Sequence, residues 1–127
     1  MMKKLLSVLW LLPALLLIAM PVAQASDGHI SAMAGIVMHL NHYPDNNDQK
    51  VLAAIASDQH ATAGEKILAA ALQHMQHRVT DSDAGRLRQL LADASASRQE
   101  HSLATILLGI AHHPSASDKQ QLKALLD

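Results

Sequence analysis

The sequence contains no cysteine and no phenylalanine, and its only aromatic residues are Trp10 and Tyr43. The absence of cysteine excludes a disulfide scaffold, a cysteine nucleophile and a lipoprotein attachment site. With so few aromatic rings, the chain also lacks the stacking platform on which single-stranded nucleic acids are bound. A domain built from this sequence must therefore be stabilised by aliphatic packing.

An excess of positive charge is also lacking. Ten Lys and Arg residues stand against eleven Asp and Glu residues, which gives a formal net charge of −1. Because nucleic-acid-binding domains need a basic face, we expect no nucleic-acid partner. The sequence contains no G-x-S-x-G elbow, no phosphate-binding loop and no H-E-x-x-H motif. These absences predict that the protein is not an enzyme.

A secretory signal peptide is predicted for residues 1–25. Two lysines precede an apolar stretch, residues 5–20, and Ala23-Gln24-Ala25 has the small residues that signal peptidase requires. The apolar stretch is shorter than the roughly 20 residues of a membrane span. Cleavage after Ala25 leaves eight basic and eleven acidic residues, a net charge of −3. We therefore expect a periplasmic or secreted protein with no membrane span after cleavage.

The remaining domain, residues 26–127, contains a pattern that recurs every 35 residues. Histidine, aspartate, leucine and alanine return in register, as His42, His77 and His112, as Asp48, Asp83 and Asp118, as Leu52, Leu87 and Leu122, and as Ala34, Ala69 and Ala104. Apolar residues at helical spacing occur twice in each unit, which predicts three tandem helical hairpins over about 28–61, 62–96 and 97–127. The fold class is therefore all-α with six helices, stacked as a short solenoid or as a compact bundle.

The helix boundaries are predicted from capping and proline signals. We expect the first helix to span His29 to His42, because Pro44 disfavours a helical conformation in the residue before it. Corresponding ends are expected near His77 and before Pro114. Aspartate, serine or threonine followed three residues later by an acidic residue predicts the N-termini of the other helices. The first helix of each hairpin is the more apolar, so we expect it to lie inside, with the recurring alanine at a close helix crossing.

All nine histidines lie in the domain that follows the signal peptide, and they are the candidate functional residues. His39 and His42 have i, i+3 spacing, as do His74 and His77, so each pair would share one helix face. Neighbouring imidazoles bind Zn²⁺, Cu²⁺ or Ni²⁺. The predicted metal site therefore contains these four histidines and, as a further ligand, His112. In the third unit glycine replaces the first member of the pair.

Two other interpretations of the histidines are open. The recurring histidine falls where each first helix is predicted to end, and an imidazolium there would be stabilised by the helix dipole. Alternatively, protonation near pH 6.5 would move the net charge from −3 to +6, as nine histidines join eight basic and eleven acidic residues, and make the domain a pH sensor. At the level of function, the helical repeat favours a protein-binding or scaffold module in the bacterial periplasm. The alternative is a histidine-rich periplasmic protein that binds zinc, copper or nickel.

Overall fold

The computed structural model describes residues 25–126, which form six α-helices and confirm the all-α prediction. The helices are α1 (Ala25–Met38), α2 (Asn46–Ser57), α3 (Ala63–Gln73), α4 (Asp81–Ala92), α5 (Arg98–Gly109) and α6 (Ala116–Leu126). The predicted signal peptide lies outside the described residues, except for Ala25 at the start of α1. In the described part of the chain, no helix combines the length and apolar character that crossing a membrane would require.

The interior is formed by α1, α3 and α5, which pack against one another. Ala34, Ala69 and Ala104 occupy the same position in these three helices, and each is 0% exposed. The prediction that the first helix of each hairpin lies inside is confirmed. The largest fully buried apolar side chains of the three inner helices are Met33, Val37, Leu68, Leu72, Leu103 and Leu107.

The outer helices close the bundle into a ring. Each packs against the inner helix of the next hairpin, α2 on α3 and α4 on α5, and α6 returns to pack on α1. At this last junction the hydroxyl of Ser31 donates to the carbonyl of Leu126 at 3.3 Å. A solenoid would leave its first and last units apart, so the structure is the compact bundle of the two predicted architectures.

The N-termini of the helices follow the predicted caps. Helices α2, α3 and α5 begin with capping boxes, in which an N-cap side chain and an acidic side chain three residues later bond each other's backbone N–H groups. The N-cap hydroxyls before α4 and α6 accept from the backbone N–H of the aspartate three residues on. Each bond satisfies a backbone donor that has no partner within the helix. The N-cap residues are Asp45, Thr62, Thr80, Ser97 and Ser115.

The inner helices end earlier than the sequence predicts. Helix α1 ends at Met38 rather than His42, and α3 and α5 end at Gln73 and Gly109. The reason is a long-range contact. The N–H of His42 donates to the carbonyl of His112, not to a carbonyl of its own helix, so the helical hydrogen-bond pattern stops before it.

Candidate metal centre

Each inner helix is followed by a tight turn centred on a histidine. His42, His77 and His112 have φ angles of 73°, 70° and 74°, a region that residues other than glycine seldom occupy. The neighbours on either side of each histidine pair across the turn, Asn41 with Tyr43, Gln76 with Arg78 and Ala111 with His113. In the third turn the N–H of His113 donates to the carbonyl of Ala111 at 2.9 Å. That bond and the positive φ define a γ-turn of the rare, strained type.

Backbone hydrogen bonds join the three turns into a cycle. The N–H of His42 donates to the carbonyl of His112, that of His77 to His42, and that of His112 to His77, each at 2.6 Å. One turn comes from each hairpin, so the cycle links all three hairpins at the ends of the inner helices, which pack against one another. It fixes the backbones of the three histidines relative to one another and so sets where their side chains begin.

The three imidazoles converge through their Nδ1 atoms. The Nδ1 of His77 lies 3.0 Å from that of His42 and 3.0 Å from that of His112, and the third pair is 3.2 Å apart. The ring centroids are 4.8–5.1 Å apart and the planes cross at 72–78°, so the arrangement is close to three-fold symmetric. We refer to His42, His77 and His112 as the three-histidine centre.

The surroundings of His112 favour its neutral form. His42 is half-buried, whereas His77 and His112 are exposed. Among the described residues, the hydrogen bonds of these three side chains are to one another and none is to a carboxylate. Local desolvation by the neighbouring atoms, followed by the charges of the other two histidines, His113 and Arg78, lowers the pKa of His112 below its ordinary value. Neutral imidazole is the form that binds a metal ion.

The structure brings three of the five predicted ligands together and separates the other two. His39 Nε2 lies 3.0 Å from Asp48 Oδ2, and His74 Nδ1 lies 2.8 Å from Asp83 Oδ2. The predicted i, i+3 pairs are not formed, because the helices end before His42 and His77. The other predicted role for the recurring histidine, at a helix C-terminus, does not describe these rings either, since they lie beyond the helix ends and contact one another.

A second group of ligand-type side chains, His39, Asp45 and Asp48, has its atoms within 4.8 Å of one another. Its geometry is that of a helix cap. Asp45 accepts from the N–H of Asp48 at 2.8 Å, and Asp48 accepts from the N–H of Asp45 at 3.2 Å. His39 Nε2 lies within hydrogen-bond distance of the Asp48 carboxylate. These carboxylates already accept hydrogen bonds from the chain, so the group is explained without an ion.

A different histidine arrangement lies at the N-terminal end of α1. His29 Nδ1 is 2.9 Å from Glu65 Oε1, and Nε2 is 3.0 Å from Asp58 Oδ2. Glu65 is 0% exposed, and its Oε2 has no partner among the described residues. The hydrogen bond to Glu65, ahead of the other contributions, raises the pKa of His29 above its ordinary value. Both ring nitrogens are engaged, so this is an ion-paired structural contact, which we call the His29 bridge.

Three side chains beside the centre were not among the metal ligands predicted from the sequence, although one of them, His113, belongs to the nine candidate histidines. Tyr43, Arg78 and His113 directly follow the three histidines and occupy equivalent positions in the 35-residue period. Their shared position in the repeat could have identified them as neighbours of the centre. Because the three side chains are chemically different, the repeat is not visible at this position in the sequence. Next to the centre is a cavity of about 400 Å³, lined by Tyr43, Gln49, Gln73, Met75, Gln76 and His77.

The function of the centre has to be inferred from its own residues. Comparison with protein-family models, with curated proteins and with solved structures gives no match to this chain.

Proposed function

We propose that this protein binds one divalent transition-metal ion through the Nδ1 atoms of His42, His77 and His112. The observation that carries the proposal is the mutual Nδ1 separation of 3.0–3.2 Å. An ion about 2.05 Å from all three nitrogens, the usual Zn–N distance, would lie about 1 Å off their plane with N–metal–N angles of roughly 95–103°. These angles suit three ligands of a tetrahedral or an octahedral ion.

Hydrogen bonding alone does not account for this convergence. In a neutral imidazole, Nδ1 carries either a proton or a lone pair in the ring plane, never both. Three such atoms that face one another cannot all be paired, because any choice of tautomers leaves one nitrogen unsatisfied or shared. A cation that accepts all three lone pairs removes the conflict.

Backbone strain supports the same conclusion. A residue other than glycine at positive φ costs on the order of 1–3 kcal/mol, and such strain concentrates at functional sites. Glycine would relieve it, yet histidine occupies all three positions. The imidazole side chain therefore accounts for the presence of histidine at these strained positions.

The donor set selects the class of ion. Three imidazole nitrogens without a carboxylate suit Zn²⁺, Cu²⁺, Ni²⁺ and Co²⁺, whereas Mg²⁺ and Ca²⁺ prefer oxygen ligands. The protein would act as a binding protein rather than an enzyme, in the exported compartment that the predicted signal peptide implies. The alternative function, a protein-binding module, has less support, because the exposed large hydrophobic side chains of the described residues are limited to Tyr43, Val51 and Leu126.

The test is isothermal titration calorimetry with Zn²⁺, Cu²⁺, Ni²⁺ and Co²⁺ at pH 7.5. We expect one ion per chain. His77→Ala should weaken binding by at least about 100-fold, since even the partners of metal ligands contribute 10–100-fold. His74→Ala, three residues earlier and paired with Asp83, is the matched control and should leave the affinity unchanged. At pH 5.5 protons compete for the imidazoles, so the affinity of the unaltered protein should fall.

Two results would contradict the proposal. One is the absence of binding by any of the four ions, and the other is an equal loss of affinity in the two variants. Circular dichroism melts show whether His77→Ala is folded. His77→Gly, which tolerates the positive φ, gives a second variant without the imidazole.

A further inference from the structure

The second inference rests on the proposed metal site and concerns the ligand that would fill the remaining coordination position of the ion. Three protein ligands leave at least one coordination position open, as in catalytic zinc sites. The described residues offer no fourth protein ligand within the group of converging atoms. The neighbouring His113 directs its Nδ1 to the carbonyl of Pro114 at 3.2 Å, and His39 and His74 contact their aspartates. The remaining ligand must therefore come from outside the described chain.

The turn that contains His77 also carries a cation. Arg78 follows His77 in the second turn and reaches toward the third, where it lines a cavity together with Ile110 and Ala111, the two residues before His112. Among residues 28–126 its guanidinium forms no salt bridge, although Asp81 lines the same cavity. An arginine without a carboxylate partner next to a metal ion keeps all of its donors for a ligand.

The charges of the ion and of Arg78 define the ligand. A divalent ion and Arg78 would together place three positive charges beside imidazoles that contact no carboxylate. The guanidinium fork matches two oxygens of a carboxylate or phosphate group. Tyr43, which is 62% exposed, lies on another edge of the centre and carries a hydroxyl donor. Tyr43 and His77 line the cavity of about 400 Å³, which has room for a small molecule on that edge.

We propose that the metal ion of the three-histidine centre binds an oxyanion as its exogenous ligand, with one oxygen on the metal and another on the guanidinium of Arg78. Carboxylate, bicarbonate and inorganic phosphate share this chemistry. The protein would then hold a metal ion and a small anion together, with Arg78 as the residue that selects the anion.

The experiment uses the Co²⁺-loaded full chain, because the visible absorption of Co²⁺ reports a change of ligand. Acetate, bicarbonate and inorganic phosphate are titrated separately at constant ionic strength, with sodium perchlorate as the control salt. We expect a saturable spectral change with at least one of the three anions and none with perchlorate, and the relative affinities identify the type of oxyanion.

Variants test the role of the arginine. Arg78→Gln should weaken the anion by about tenfold or more, the value of one hydrogen bond to a charged group, without altering the affinity for Co²⁺. Arg98→Gln, an exposed arginine at the start of α5 and so at the other end of the inner helices, should change neither affinity. Arg78→Lys, which keeps the charge but loses the fork, should fall between the unaltered protein and Arg78→Gln.

The outcomes separate the two proposals. If Co²⁺ does not bind, the proposed function fails. If Co²⁺ binds but no anion changes its spectrum, the metal proposal stands and the anion proposal is overturned. An anion affinity that is equal in Arg78→Gln and the unaltered protein also overturns it.

Discussion

The two ends of the inner helices use histidine in opposite ways. At the N-terminal end His29 lies between two carboxylates, and its pKa is raised mainly by the hydrogen bond to Glu65. At the other end, about 14 Å along the helix, three imidazoles face one another without a carboxylate, and the pKa of His112 is lowered. The partners of His29 and of His112 thus shift the pKa of the same side chain in opposite directions at the two ends.

This contrast separates a contact that stabilises the fold from one that strains it. The His29 bridge joins α1, the end of α2 and the start of α3, and it offsets the burial of Glu65. The three-histidine centre holds three residues at unfavourable φ and brings unpaired lone pairs together. If both ends were merely structural, substitution would destabilise the protein at each of them, and the following experiments test whether it does.

The largest effect is expected at the His29 bridge. His29→Ala should lower the free energy of unfolding by about 3 kcal/mol, because it leaves the buried carboxylate of Glu65 without its cationic partner. Metal affinity should not change. Urea denaturation measures the stability, and His60→Ala, an exposed histidine that also neighbours Asp58, should cost under about 0.5 kcal/mol. Equal losses in the two variants would show that the bridge does not stabilise the fold.

The strain at the other end is tested in the metal-free protein by comparing glycine with alanine. His77→Gly should be more stable than His77→Ala by about 1 kcal/mol, because only glycine adopts positive φ without strain. The same pair of substitutions at His74, whose φ is −89°, is the control, and there alanine should be the more stable by about 0.5–1 kcal/mol. Thermal or urea unfolding measures all four variants. The same order at both positions would remove the evidence for strain.

A pH titration compares the two ends within one molecule. Because the pKa of His29 is raised in the folded state, its stabilisation is complete below the ordinary value of about 6.5 and is lost as the pH rises through the raised pKa. For His112, whose folded pKa is lowered, the sign is reversed. Its contribution is present above the ordinary value and is lost as the pH falls through the lowered pKa.

The measurement is an NMR titration of the histidine side chains in metal-free protein, with His29→Gln and His112→Gln to assign the resonances. We expect the His29 resonance to titrate above the reference value and the His112 resonance below it. His29→Gln should also flatten the loss of stability as the pH rises above about 6.5. Titration of both residues on the same side of the reference would contradict the comparison.

The smallest effect is expected from completing the third unit. His39 pairs with Asp48 and His74 with Asp83, but the third unit has Gly109, and a Cβ atom there would have nothing within 4 Å. Gly109→His should stabilise the protein by about 0.5 kcal/mol through helix propensity and a pair with Asp118. Metal stoichiometry should remain at one ion. A second bound ion would show that the histidines paired with aspartates also bind metal.

Features that depend on near neighbours in the chain could be predicted from the sequence. The N-caps at Asp45, Thr62 and Ser97 follow from a side chain and a backbone N–H three residues apart. The burial of the inner helices follows from their apolar spacing. Both features are set by residues three or four positions apart, so they can be predicted from the local sequence.

The geometry of the centre could not be predicted in the same way. His42 and His112 are 70 residues apart, and they meet because α1 and α5, the inner helices that precede them, pack against each other. The 35-residue period gives equivalent positions but not the rotation between units that closes the ring. The positive φ of His42 is also stabilised by a backbone hydrogen bond to His112, so no local pattern in the sequence indicates it. The local pattern, the i, i+3 spacing of His39 and His42, predicts a helical pair instead.

The return of α6 to α1 makes the order of the hairpins cyclic rather than linear. The junction between the two ends of the described chain has the same helix pairing as the two junctions inside it. A circular permutant that linked these ends and opened between Ala96 and Ser97 would retain all three histidine turns and every backbone bond of their cycle. The order in which the chain connects the hairpins can thus change without changing how the hairpins pack. The centre is formed by all three hairpins of the closed ring and not by any one of them.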